Sequence, residues 1–332
     1  MKLVKVDDAV GRKLAFDYSA VTPDFKSPIK RRGEVVSLED VELLKNHGHY
    51  YVYIEDGDSV EYGLHEEEAV LQLAQLISGE NIIVEKAPEG KALLRSAVNG
   101  LLMVDSTLLE KINSTGVYVV ITRRKGVYVK HSDIVGIVDL IPLSIPRDYL
   151  SYISSEILAS RKILQVYRNT HPKIGIIVTG TEIVEGRKKD LASPVVVEKI
   201  RLYELEQGAL VYVRDDESEI AGAIENLLLD HDAVVVTGGM SIDPTDKTPK
   251  AIASVASEVV AYGVPMKPTT MSMIAYKDGK AVIGVSSGII YFPDYNILDV
   301  VLPWIAAGVK IPREYLISFG EGGLSEYFLR RR

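Results

Sequence analysis

The chain has 332 residues, 47% of them hydrophobic and 25% charged, with a formal net charge of −8, which predicts a globular protein of about two domains. It shows no dominant basic face, so the footprint of a nucleic-acid binder is missing. It has no cysteine, which removes disulfides, thiolate metal sites, iron–sulfur ligation and cysteine nucleophiles together.

The opening MKLVKVDDAVGRKL carries acids and no apolar signal core, and no apolar run approaches the roughly 20 residues of a spanning helix. The expectation is a cytoplasmic protein without a membrane partner. Ser37-Leu38-Glu39-Asp40 has the form of a capping box, followed by Val41, Leu43 and Leu44 and a Gly48 stop. The Lys30-Arg31-Arg32-Gly33 cluster beside it reads as a solvated charged turn. Tyr50 to Ile54 reads as a strand. Ala69, Val70, Leu73, Ala74 and Ile77 follow helical spacing between Glu66 and Ser78, with Gly79 just past the end. A strand over 81–85 follows, then the apolar stretch 100–105, with Ser106 as cap of a short helix ending near Asn113. Strands over 117–122, 126–130 and 134–140 are separated by turn signals. This half lacks a strand–helix alternation and predicts an α+β accessory domain over residues 1–145. Leu150, Ile153, Ile157, Leu158, Ile163 and Leu164 then predict a linking helix within 146–172.

From Lys173 the rhythm changes. Strands over 174–178, 209–213 and 233–237 alternate with helices over 194–207, 217–230 and 248–256, which predicts a parallel sheet covered on both faces. A hairpin over 273–285 turns at Asp278-Gly279, and a closing helix covers 295–307. The fold class expected for 173–310 is therefore α/β, doubly wound and mostly parallel, with 311–332 as a C-terminal tail.

Three loops at the carboxyl ends of these strands carry the chemistry, because open α/β sheets bind ligands there. The first, Thr179 to Ser193, is long for such a connection. Its glycines, Gly180 and Gly186, match neither a dinucleotide-binding nor a P-loop spacing. The second, Thr237 to Thr248, has Gly238-Gly239 for close backbone approach, the hydroxyls of Ser241 and Thr245, and the carboxylates Asp243 and Asp246. Those carboxylates suit a bound divalent metal or the donors of a heterocycle; alternatively Asp246 is only the N-cap of the next helix. The third is the Ser286-Ser287-Gly288 turn. The six histidines have no metal-cluster spacing, His231 reads as structural, and no serine sits in a nucleophile elbow.

Taken together, VTGTEIVEGRKKD, TGGMSIDPTDKTPKA and YGVPMKPTTMSMIAYKDGKAVIGVSSG resemble the molybdopterin-binding domain shared by molybdopterin adenylyltransferase and molybdopterin molybdenumtransferase, over about Lys173 to Val309. GLLMVDSTLLEKIN and DIVGIVDLIPLSIP resemble stand-alone proteins carrying that domain. The resemblance implies molybdopterin as ligand or substrate. It carries the family pattern onto Thr179, Gly180, Glu182, Gly186 and Asp190, with Thr181 and Ser193 beside them, then onto Thr237, Gly238, Gly239, Asp246, Thr248 and Pro249. By position it reaches Ser286, Ser287 and Gly288, with Ser241 and Asp243 on the rim. Asp246 and Asp190 would be the catalytic pair, orienting pterin donors or a metal that the resemblance does not identify.

The chain departs from the pattern where the family has Asp-x-Asn, here Asp190-Leu191-Ala192-Ser193, and where Pro-Gly is replaced by Ser-Ser. Two activities are therefore expected as leading alternatives, with a nucleotide hydrolase of unrelated ligand as a third. One is a transferase using Mg and ATP to adenylylate molybdopterin, or inserting molybdate, by positioning and charge neutralisation. The other is a non-catalytic cofactor carrier or sensor whose first half docks a partner. The resemblance also implies a homo-oligomer, with other cofactor-biosynthesis proteins or molybdoenzymes as partners.

Overall fold

The structure is a computed structural model and describes residues 1–22, 26–55, 63–240 and 246–330. Two compact units emerge. One comprises Met1–Ala97, Val104–Arg123 and Ser132–Gln165; the other comprises Val98–Met103, Arg124–His131 and Val166–Arg332. The break is thus not the single boundary near 145–173 that the rhythm change suggests, because two excursions of the first half belong to the second unit.

In the first unit the capping box forms as expected. Asp40 N donates to Ser37 Oγ (3.2 Å) and Ser37 N to Asp40 Oδ2 (2.8 Å), which starts the helix Leu38–Asn46. Val41 and Leu44 on it close a small core with Val6, Leu14, Val36, Val52 and Ile54. The helix Glu66–Ile77 buries the five predicted apolar positions against an antiparallel sheet ordered Ile82–Ala87, Lys91–Ser96, Ile134–Leu140, Tyr118–Thr122. The strand Lys91–Ser96 escapes the sequence reading because it runs Lys-Ala-Leu-Leu-Arg-Ser, where adjacent leucines hide the alternation.

Two local expectations change. Asp105, not Ser106, caps the Ser106–Ser114 helix, its Oδ1 accepting from Leu108 N at 3.0 Å. The linking helix is short: Tyr149–Tyr152 runs into a π-helical turn Ile153–Leu158, and left-handed Ala159 and Ser160 (φ 47° and 65°) end it. Leu164–Arg168 is a strand. Leu164 and Val166 are buried, and their alternation with polar Gln165 and Tyr167 has a period of two, so this end of the supposed helical stripe is a strand face.

The second unit contains β1 (Lys173–Thr179), α1 (Ser193–Leu202), β2 (Glu206–Val213), α2 (Glu217–Leu228), β3 (Ala233–Thr237), α3 (Thr248–Val255), β4 (Glu258–Tyr262), β5 (Met273–Lys277), β6 (Lys280–Val285) and α4 (Ile297–Ala306). The sheet order is β2-β1-β3-β6-β5-β4. The first four strands are parallel, and β5 and β4 add antiparallel at one edge. Alternation along each strand divides the core in two. Ile174, Ile176, Val178, Ala233, Val235 and Ile283 pack with α1 and α4. Ile177, Val234, Val236 and Val282 pack with α2 and α3. Helices therefore cover both faces, and the fold is α/β and doubly wound.

The segment after Lys310 is not a tail. Arg313–Ile317 is helical, and Ile311, Tyr315, Leu316 and Phe319 complete the α4 side of the core, with the Tyr315 ring 4.7 Å from that of Trp304. Strand β4 is also absent from the sequence reading, since its Glu-Val-Val-Ala-Tyr run follows directly on α3 without a turn signal. His231 is structural as expected: Ala209 N donates to its Nε2 (3.0 Å), Nδ1 lies 2.9 Å from Leu227 O, and Gly208 leaves room for the ring.

Candidate functional site

β1 leads to a helix on one face of the sheet and β3 to a helix on the other, so their loops diverge and leave a crevice at their carboxyl ends. The register puts Val178 opposite Thr237, and Thr237 opposite Val285, so the three predicted loops start at one level. A cavity of about 560 Å³ opens there, reached by Thr179, Gly180, Glu182, Asp190, Thr237, Gly238, Gly239, Asp246 and Ser287.

The Gly238-Gly239 turn is dictated by close packing. Both residues have positive φ (102° and 55°), and a Cβ on Gly238 would lie 2.5 Å from Thr179 O. Thr248 Oγ1, at the head of α3, donates to Gly238 O (2.8 Å) and lies 3.5 Å from Thr179 Oγ1. Thr179 and Thr248 thus tie β1, the glycine turn and α3 together. Thr237 differs from them. It is 1% exposed, and its Oγ1 has no hydrogen-bond partner among the described residues. Leaving such a hydroxyl unsatisfied costs about 1–3 kcal/mol.

Asp190 lines the cavity, but its oxygens are engaged by the protein. Oδ1 accepts from Ala192 N (2.8 Å) and Ser193 N (3.0 Å), while Oδ2 accepts from Ser193 Oγ and from Tyr212 OH (3.2 Å). Burial would raise its pKa, yet these bonds outweigh burial and hold the carboxyl below the usual range. Its visible work is to shape the entrance to α1, and Ser193 serves that work with its own side chain turned to Asp190. Thr181 is likewise paired: Thr181 N donates to Asp215 Oδ2 (2.9 Å) and Asp215 N to Thr181 Oγ1 (3.2 Å). Glu182 meets Lys188 at 3.6 Å.

Asp246 reaches the cavity but is not the cap of α3. That position belongs to Lys247, with no side-chain cap bond, and Pro249 follows in the first turn. Among the third-loop residues Ser287 reaches the cavity, whereas Ser286 and Gly288 support the short helix Gly288–Tyr291 behind it. Ser241 and Asp243 lie outside the described residues. Several lining residues are not among the site residues expected from the sequence, Asp215, Lys189, Lys247 and Ile290 among them. Asp215 could have been found by counting, since it stands two residues beyond Val213, the partner of Thr179. Among the described residues no group of three or more histidine and carboxylate side chains converges as a metal cage, and no helix is long and apolar enough to cross a membrane.

Residues 175–294 match the family described as probable molybdopterin binding domain, and residues 3–56 match a domain of unknown function. Over 137 residues, 39% of this chain, the sequence is 26% identical to a molybdopterin molybdenumtransferase of Staphylococcus aureus and 23% identical to one of Staphylococcus epidermidis. The chain spans only 33% of the length of those relatives. Among solved structures, the molybdopterin biosynthesis enzyme MoaB of Thermus thermophilus is 16% identical, with 42% of this chain and 98% of that chain covered at a TM-score of 0.36. The tungsten cofactor synthesizing protein MoaB of Pyrococcus furiosus is 19% identical, with 41% and 93% covered at a TM-score of 0.35.

Proposed function

We propose that this chain, whose residues 175–294 match the probable molybdopterin-binding-domain family, binds molybdopterin in the β1–β3 crevice and acts in assembly or handling of the molybdenum cofactor. The observation that supports this most is the buried, unpartnered Thr237 hydroxyl beside the Gly238-Gly239 turn, on a residue that lines the wall of a cavity of about 560 Å³. Ligand pockets commonly measure about 300–1,000 Å³ and carry a few placed polar groups. A pterin with a phosphate tail offers both a flat hydrogen-bonding ring and an anion to such a site.

If the chain is a transferase, the residues present act by holding and orienting. The glycine turn lets main-chain amides approach the ligand, Asp246 lines the crevice and would accept from ligand donors, and the divergence of the two loops leaves room for a second substrate. Mg would enter with ATP and neutralise phosphate charge. Asp190 and Asp215 are taken by protein donors and the described residues form no cage of three or more acidic or histidine groups, so no step here depends on a resident Mg. The commitment of Asp190 to the α1 entrance favours the second reading, a carrier or sensor that holds the cofactor without turning it over.

Purified full-length protein incubated with molybdopterin and Mg-ATP separates these readings. Adenylylated product or inserted molybdate supports the transferase, and retained pterin without product supports the carrier. Absence of pterin retention under every condition refutes the ligand assignment. Asp246→Asn should abolish retention or turnover while folding is preserved.

A further inference from the structure

The two halves of the crevice differ in chemistry, and the difference orients a ligand. Along β3, Val234 and Val236 face α2 and α3, while Ala233 and Val235 face α1 and α4. Alternation therefore turns Thr237 to the α1 side. The walls on that side are apolar: Val178 and Ala192 belong to the α1–α4 core, and Ile183 and Ile290 pack against it. Thr237 Oγ1 is the one described side-chain oxygen of this wall that is fully buried and without a partner. An apolar slot with a single buried hydroxyl suits the edge of a flat, neutral heterocycle.

The opposite side, at the head of α3, is charged. Lys247 lines it and is half-buried. Its ammonium has no ion pair among the described residues, although it lies near enough to Asp216 to lower that carboxyl, whose main bonds go to Ser218 and Glu219 N. Three of the cavity acids are engaged elsewhere, Glu182 by Lys188, Asp190 by the α1 entrance and Asp215 by Thr181 N, and the fourth, Asp246, is the neighbour of Lys247 in the chain. Helix α3 adds the positive end of its dipole at the same place, with no side-chain cap on its first turn.

We propose that Lys247 and Thr237 are the two specificity-determining ends of this site: Lys247 at the α3 head takes a phosphate monoester, and Thr237 on the α1 side takes the heterocycle, so the ligand lies across the crevice from α3 to α1. The orientation deepens the molybdopterin reading and rests on it only for the identity of the heterocycle.

The test separates the two ends with two probes on the full chain, inorganic phosphate and the phosphate-free pterin neopterin, each followed by titration calorimetry. Replacing Lys247 by Gln should weaken phosphate roughly tenfold, as expected for loss of a charge-assisted contact, and leave neopterin nearly unchanged. Thr237→Val should do the reverse, because it keeps the shape and removes only the hydroxyl. Lys247→Arg and Thr237→Ser should restore the respective probe, which separates lost contacts from misfolding. Equal weakening of phosphate by both variants, or none by Lys247→Gln, overturns the orientation. If phosphate depends on Lys247 alone but no variant or wild-type protein binds neopterin, the pterin reading and the Thr237 end fail while the anion end stands.

Discussion

The sharpest consequence of the site's packing concerns Gly238. At φ 102° an L side chain is strained, and its Cβ would sit 2.5 Å from Thr179 O and 2.6 Å from Thr179 Oγ1. Gly238→Ala thus carries two costs: about 1–3 kcal/mol for the backbone conformation and about 1–3 kcal/mol for prising the end of β1 from the loop after β3. Gly263 provides the control, since its φ is 83° and a Cβ there meets nothing within 4 Å. Gly263→Ala bears the conformational cost alone. The two variants should differ by about 2 kcal/mol, or roughly 4–8 °C in Tm for a unit of this size. The single tryptophan, Trp304, is buried in the second unit, so its fluorescence during thermal unfolding reports that unit selectively. Equal melting of the two variants would mean that contact with Thr179 does not require glycine, and the account of the turn would fall.

Other expectations follow from buried charge and titration. Lys199 Nζ lies 2.7 Å from Asp299 Oδ1, which also accepts from Tyr203 OH at 2.7 Å; Lys199→Met leaves that carboxylate buried without its cation and should cost about 3–5 kcal/mol in urea unfolding. A loss under 1 kcal/mol would show that the Tyr203 hydroxyl and Asn296 N, which donates to Asp299 Oδ2 at 2.8 Å, suffice. Asp190 has a lowered pKa in the fold, so its contribution is complete above the ordinary value near 4 and disappears as pH falls through the folded value. Asp190→Asn should therefore be less stable than wild type by about 1 kcal/mol at pH 7, with the gap closing in acid; a gap that persists at pH 2 contradicts this. Glu66 behaves oppositely, burial and then Glu67 pushing its pKa up to about 6. The folded state then binds the proton more tightly, so Glu66 costs stability above pH 6, by up to about 2 kcal/mol before screening halves it. Glu66→Gln should gain about 1 kcal/mol at pH 7.5 and nothing at pH 4, measured by denaturant titration at both.

Most of the second unit could be read from its sequence because strand and helix announce themselves with different periods. Ala233–Thr237 is a continuous buried β-branched run that ends at two glycines, and no local alternative competes with it. The loop after it was legible for the same reason: a strand that stops on Gly-Gly must free amides where a ligand can reach them. Partnering was not legible. Asp190 reads in sequence as an open loop carboxylate, yet four donors close on it. Three of these donors are local, from Ala192 and Ser193, and only Tyr212, on the neighbouring strand, lies beyond a local reading. The span from Tyr149 to Val166 misled because Ile163 and Leu164 fit a helical stripe as well as a strand, and only the left-handed pair Ala159–Ser160 breaks the tie. Nothing in the sequence singles out Lys247, because a lysine in a loop is ordinarily solvated; its half-burial is a property of the fold.

The discontinuous make-up of the second unit bears on how the chain is made. Val98–Met103 and Arg124–His131 already pair with each other, Gly126 N donating to Leu102 O at 2.8 Å and Tyr128 standing opposite Leu101. Their remaining partners come later: Asn169 N donates to Asn99 O (2.9 Å), Asn169 Nδ2 to Tyr128 OH (2.8 Å), and the Tyr315 hydroxyl lies where a Cβ on Gly126 would fall. During synthesis from the amino end, the first unit has all its segments once Gln165 has emerged, while this early ribbon waits for some 150–200 further residues, roughly 10–40 s at ordinary elongation speed. A ribosome stalled in that interval holds a finished unit beside an unfinished one. The exposed ribbon, rather than the ligand crevice, is then the place where a chaperone would be needed.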